Sequence, residues 1–179
     1  MLTWIALLRG INVGGKHRLP MSELVDILQS LRLHNVKTYI QSGNAVFQSS
    51  GPIAATLDAE IAATIEQRHG FRPRVLLLST DQFADAVASN PFPEADDAPK
   101  TLHLFFLASP PTAPDLEALH KVQAPSERFH LTDPVFYLYT PDGFGRSKLA
   151  ERAERYLGVA ATARNWRTVK QLWDMATAL

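Results

Sequence analysis

The chain has 179 residues, 46% of them hydrophobic and 20% charged, an ordinary globular mix that can bury one core or two small ones. Lys+Arg 18 against Asp+Glu 18 leaves no net charge, so any affinity for phosphate must rest on a local basic patch. There is no cysteine, which excludes disulfides, thiolate metal sites and cysteine nucleophiles.

Residues 3–9, "TWIALLR", read as a near-continuous apolar strand. No apolar run approaches the ~20 residues of a membrane span. The run between Thr3 and Arg9 is also too short for a signal peptide. A cytoplasmic protein without membrane attachment is expected.

The next stretch, Gly10 to Lys16, fills the pattern GxxxxGK. Three features argue against a phosphate-binding P-loop. His17 follows the lysine, where Ser or Thr would hold magnesium. Pro20 marks the helix start, whereas a P-loop helix opens at the lysine. A hairpin follows, and P-loop enzymes use a parallel sheet. A glycine-rich turn is the reading that remains.

Pro20 opens a helix with Met21, Leu24, Val25, Leu28 and Leu31 at helical spacing. "VKTYIQSGNAVFQS" reads as a hairpin with a two-residue Ser42-Gly43 turn. Pro52 is expected to open the second helix, with Ile53, Leu57, Ile61 and Ile65 as its buried stripe. Gly70 before Phe71 reads as a left-handed cap. "RVLLLS" is a fourth strand. Ser79 and Gln82 form a capping box for a short helix that stops near Asn90-Pro91.

Residues 91–100 are proline-rich, polar and aperiodic, and read as a linker. The order then recurs. "TLHLFFLA" is a strand, and Pro114 opens a helix carrying Leu116 and Leu119. "ERFHL" and "VFYLYT" flank a Thr132-Asp133-Pro134 turn. Arg146 to Leu157 is a helix stopped by Gly158, "AATA" is a short edge strand, and Asn165 is the N-cap of a last helix. The fold class is α+β: two tandem ferredoxin-like (βαββαβ) halves with antiparallel sheets, each followed by an extra helix. The halves are expected at 1–90 and 101–179.

"ALLRGINVGG", "TYIQSGNAVF" and "TARNWRTVKQL" together resemble a bacterial family, domain of unknown function 1697. "PDGFGRSKL" also resembles its glycine-then-basic segment. The likeness runs from the first strand to the last helix. It implies a pair of ferredoxin-like halves and carries no activity, cofactor or catalytic residue.

This topology predicts two polar clusters. In the first half, the loop after strand one and the hairpin after strand two share one sheet end. That brings Arg9, Asn12 and Lys16 near Gln41, Ser42 and Asn44, a set able to hold an anion. The competing explanation is that Asn and Ser close the turns. In the second half, "GFGRSK" and "RNWRT" come to the same sheet end. Arg146, Ser147, Lys148, Arg164, Asn165 and Arg167 are then expected together. Basic residues at a helix start oppose the dipole, which asks for a reason. Pairing of Arg146 or Arg164 with Glu151 or Glu154, or with a neighbouring acidic loop, is the alternative.

Alternation of His103 and Phe105 against Leu104, and of Tyr137 and Tyr139 against Phe136 and Leu138, also suggests a sheet face showing aromatics, as RNA-recognition sheets do. However, "SGNAVFQS" does not fit the RNA-recognition signature, and packing against the other half is the expected use. His17, His34, His69, His103, His120 and His130 show no metal spacing, so no metal site, cofactor or catalytic residue is assigned. The sequence therefore points to binding of a phosphate-bearing ligand, a nucleotide or short nucleic acid, at basic loops and helix starts. The alternatives are a phosphotransferase or hydrolase using the Gly10–Lys16 loop, and a protein–protein assembly module. Oligomeric state is left open.

Overall fold

The computed structural model describes residues 1–179. Chain order is β1 (Leu2–Arg9), α1 (Met21–Ser30), β2 (His34–Tyr39), β3 (Asn44–Ser49), α2 (Leu57–His69), β4 (Arg74–Ser79) and α3 (Thr80–Ala88). It continues with β5 (Leu102–Leu107), α4 (Leu116–Val122), β6 (Arg128–Leu131), β7 (Val135–Tyr139), α5 (Lys148–Leu157), β8 (Ala161–Asn165) and α6 (Trp166–Thr177). Short 3-10 turns lie at Pro93–Asp96 and Phe144–Arg146. No helix is long and apolar enough to cross a membrane.

The strands form two four-stranded sheets, ordered β2-β3-β1-β4 and β6-β7-β5-β8. Every pairing is antiparallel. This is the expected α+β fold of two tandem ferredoxin-like halves.

Strand alternation explains each core. In the first sheet Ala6, Leu8, Ala45 and Phe47 share one face and pack on Leu24, Ile27 and Leu28 of α1 and Ile61 and Ile65 of α2. Ile5, Leu7 and Val46 lie on the other face and are also fully buried. Burial on both faces is why β1 reads as a continuous apolar run. In the second sheet Phe105, Leu107, Phe136 and Leu138 pack on Leu119 of α4 and on Leu149, Ala153 and Leu157 of α5. Each fully buried leucine contributes about 2 kcal/mol relative to an exposed one.

Local capping follows the sequence closely. Ser79 and Gln82 form the reciprocal box: Gln82 N–H donates to Ser79 Oγ, and Ser79 N–H to Gln82 Oε1. Gly70 and Gly158 take left-handed φ values of 76° and 71° at the ends of α2 and α5. Asn165 Oδ1 accepts from Thr168 N–H at 2.9 Å, the expected N-cap. β8 pairs only with β5, so it is the edge strand that "AATA" suggested.

Three expectations are corrected. The second helix opens at Leu57, not Pro52; Thr56 adjoins its first turn and donates from its hydroxyl to Glu60 Oε1. The β2–β3 hairpin closes on the pair Tyr39–Asn44, leaving a four-residue loop rather than the two-residue turn. Ile40 and Gly43 both take positive φ there, 47° and 80°. The helix expected from Arg146 begins at Lys148, because Phe144–Arg146 forms a 3-10 turn and Ser147 caps α5 through Ala150 N–H.

Packing divides the chain into two compact units, residues 1–85 with 171–179, and residues 86–170. These bounds differ from the 1–90 and 101–179 halves read from the sequence. Within the first unit, Gln48 Nε2 donates to the Leu179 carbonyl, which holds the chain's end there. Within the second, Tyr137 Oη donates to the Ala86 carbonyl at 2.8 Å, and Trp166 Nε1 donates to Asp96. Residues 91–100, read as a linker, carry two packed side chains. Phe92 and Ala95 are buried, and Phe92 stacks on Tyr139 with centroids 5.7 Å apart.

Candidate functional site

In the first unit the loop after β1 is built from nested turns. Gly14 and Gly15 have φ of 57° and 75°, the mark of a type I′ turn, and Lys16 N–H donates to Val13 O at 3.0 Å. One step out, Asn12 N–H donates to His17 O, also at 3.0 Å. His17 Nδ1 lies 2.8 Å from Gly10 O, and the His17 ring stacks on Phe71. α1 begins only at Met21. The sheet is antiparallel and no helix starts at Lys16, so the GxxxxGK stretch is a turn and lacks P-loop geometry.

Asn12 does reach the β2–β3 hairpin, as the topology requires. Its Nδ2 donates to Leu19 O at 2.9 Å and to Gln41 O at 2.8 Å, while its Oδ1 accepts from Leu19 N–H. Asn44 is fully buried and donates to Tyr39 O and to Ser42 Oγ. The polar groups of Asn12 and Asn44 therefore close turns. Arg9 sits opposite Arg74 at the end of β1. A cleft of about 520 Å³ opens beside this loop, lined by Asn12, Gly15, Arg18, Leu19, Pro20 and Gln41. Arg18, not Arg9 or Lys16, supplies its cation.

The second unit holds a more strongly charged site. α4 and α5 pack side by side, tied where Asp115 N–H donates to Tyr156 O at 2.7 Å. The end of α4, the α4–β6 turn and the start of α5 gather at one end of the sheet. Between them lies a cleft of about 470 Å³, lined by Lys121, Ala124, Glu127, Arg146, Lys148 and Arg152. Lys121 pairs with Glu117 at 2.8 Å on its own helix. Arg146, Lys148 and Arg152 are exposed and take part in no ion pair. The expected alternative, Arg146 with Glu151 or Glu154, is not formed; Glu154 Oε1 accepts from Ala161 N–H instead. Lys148 and Arg152 stand four residues apart on one helix face, where like charges repel. The first backbone N–H groups of α5 add positive potential at the same point.

The expected union of Arg146 and Lys148 with Arg164 is corrected. β8 does end beside the start of β5, pairing Asn165 with His103 and Arg164 with Leu104. But Ala163 packs into the helix-side core, as does Phe144. Strand alternation therefore sends Arg164 to the opposite face of the sheet, away from Arg146. It is half-buried there, and burial pushes its guanidinium down to about 10. Asn165 and Ser147 use their side-chain oxygens as helix caps. Arg167 is exposed at the start of α6. The aromatic alternation is divided in the same way. Tyr137 pairs with Leu104, so Tyr137 and Tyr139 lie on the face opposite His103 and Phe105.

Lys121, Glu127 and Arg152 went unread in the sequence. For Arg152 a signal exists: an uncompensated cation four residues after Lys148 on a strongly amphipathic helix. Lys121 and Glu127 carry no local sign, because their place in the cleft depends on how α4 docks.

Fold and clefts together define an α+β protein of two tandem ferredoxin-like halves, with a basic cleft in the second unit. The family model described as "Protein of unknown function (DUF1697)" matches residues 1–137, and the chain belongs to that family. Among solved structures it is similar to the conserved bacterial protein SP0830 from Streptococcus pneumoniae. That match has 22% sequence identity, covers 98% of each chain and gives a TM-score of 0.73, a likeness of fold. No curated protein matches the chain.

Proposed function

We propose that this protein binds a phosphate-bearing ligand, a nucleotide or short nucleic acid, in the second unit's basic cleft. One observation carries the reading: Arg146, Lys148 and Arg152 converge on one cleft without carboxylate partners, in a chain of zero net charge. Crowding unpaired cations costs stability, and an anionic ligand would repay it. Ser147 caps α5 and orients its first N–H groups beside the cations. Of the residues expected from sequence, the reading keeps Arg146, Ser147 and Lys148 and adds Lys121 and Arg152.

Thermal shift tests it, since a ligand selective for the native state raises its stability. Pyrophosphate, ATP and a short oligonucleotide form the panel. At least one should raise the melting temperature of the wild type, less so at high salt. The triple variant Arg146→Ala, Lys148→Ala, Arg152→Ala should lose the shift, while Lys16→Ala should keep it. A panel without any shift, or a shift that survives the triple variant, removes the reading.

A further inference from the structure

We propose that the ligand of this cleft is a phosphate ester of a hydroxylated carbon skeleton, such as a sugar phosphate or ribonucleotide, and that Glu127 binds one of its hydroxyl groups. The inference rests on the phosphate-binding reading above and narrows it.

Glu127 is the anomaly of the site. It is a carboxylate on the wall of a cleft whose other charged groups are four cations. Its residue is only 5% exposed, so it is fixed in the wall rather than displayed on a mobile tip. Three hydrogen bonds hold it. Its N–H donates to Ala124 O at 3.0 Å, Gln123 Nε2 donates to its carbonyl, and its Oε2 accepts from Ala124 N–H at 2.9 Å. No cation pairs with it. Oε1 makes no hydrogen bond and is not a buried, unsatisfied atom; it is left to the cleft.

A carboxylate there works against anion binding. It has acceptors only and repels phosphate oxygens. The turn itself does not require the charge, because Gln would accept from Ala124 N–H as well. The lone acceptor beside the cations instead matches a ligand with a donor close to its phosphate. A hydroxyl on the esterified skeleton is such a donor, and inorganic phosphate or a simple alkyl phosphate offers none on its carbon chain. The cleft volume, about 470 Å³, falls in the range that takes a small organic ligand whole.

Calorimetric titration of the full chain with two esters of equal charge and chain length decides the matter: glycerol 3-phosphate and propyl phosphate. Pyrophosphate is the control for the cations alone. Glycerol 3-phosphate should bind about tenfold more tightly than propyl phosphate, the usual value of a hydrogen bond to a charged group. Glu127→Gln places an amide in the wall. It should erase that preference and leave pyrophosphate bound as tightly as before or more so, which a merely structural role would not produce. Equal affinity for the two esters in the wild type, or no binding of either while pyrophosphate binds, overturns the inference and leaves the phosphate reading standing. So does a preference that survives Glu127→Gln. Failure of pyrophosphate and both esters alike to bind the wild type overturns the inference, and the phosphate reading falls with it if ATP and the oligonucleotide also give no thermal shift. The wild-type comparison stands even if the variant does not fold.

Discussion

His103 and Phe144 lie face to face, ring centroids 3.7 Å apart and planes inclined by 18°. The stack joins β5 to the 3-10 turn that carries Arg146. His103 Nδ1 is buried without a hydrogen-bond partner, and burial pushes the imidazole down to about 4 from an ordinary 6.5. The folded protein thus holds a neutral ring that the unfolded chain would protonate below about 6.5. Its contribution is complete above that pH and is lost as pH falls through 6.5 toward 4. The loss amounts to as much as about 3 kcal/mol. Urea denaturation at pH 7.5, 5.5 and 4.5 should show declining stability, and His103→Phe should flatten the decline. An unchanged slope in that variant would place the pH dependence elsewhere.

Gly43 has no room for a side chain. A Cβ built there would meet Leu8 Cβ at 2.7 Å and Ile11 Cδ1 at 2.9 Å, with φ at +80°. Its carbonyl also accepts from Leu8 N–H at 2.7 Å, fixing the hairpin against β1. Gly43→Ala therefore combines overpacking with left-handed strain and should cost about 3 kcal/mol in a denaturant titration. Gly14→Ala meets no neighbour within 4 Å and should cost only the strain, about 1 kcal/mol.

Lys148 and Arg152 repel each other on α5 in the absence of ligand. Arg152→Gln should raise the stability of the free protein by about 0.3 kcal/mol at low salt. It should also weaken binding of whichever anion the thermal-shift panel identifies. Added salt should stabilise the wild type more than the variant. A variant that loses both stability and binding would indicate a packing role for Arg152 instead.

Tyr137 is the largest fully buried side chain, and its hydroxyl donates to the Ala86 carbonyl near the end of α3. Burial pushes that hydroxyl up to about 12, against an opposing hydrogen bond with Ser89, so it remains a donor at neutral pH. Tyr137→Phe keeps the ring and strands the carbonyl, a change worth about 1–3 kcal/mol. Chemical denaturation measures it. A loss confined to a few tenths would mean that the carbonyl finds another donor.

The sequence alone determined the alternation of strands and helices, the antiparallel topology, and the stops and caps at Gly70, Ser79 with Gln82, Gly158 and Asn165. These were legible because each is written within three or four residues of itself: a period of two or 3.6, a glycine where φ is positive, a side-chain oxygen three residues before the N–H it accepts from. It also placed Asn12 beside the β2–β3 hairpin, since the topology brings those loops together whatever the packing.

Only the tertiary structure decided which cations share a site. Arg146 and Arg164 do follow strands that finish at the same end of the second sheet, but a one-residue step along β8 reverses the face, and register is fixed by non-local pairing with β5. Lys121 and Glu127 meet Arg146, Lys148 and Arg152 because α4 docks against α5 through buried leucines far apart in the chain. Local periodicity says which face of a helix is buried. It does not say which polar residue of another helix will stand beside the exposed one, because that is set by how the two apolar faces interlock.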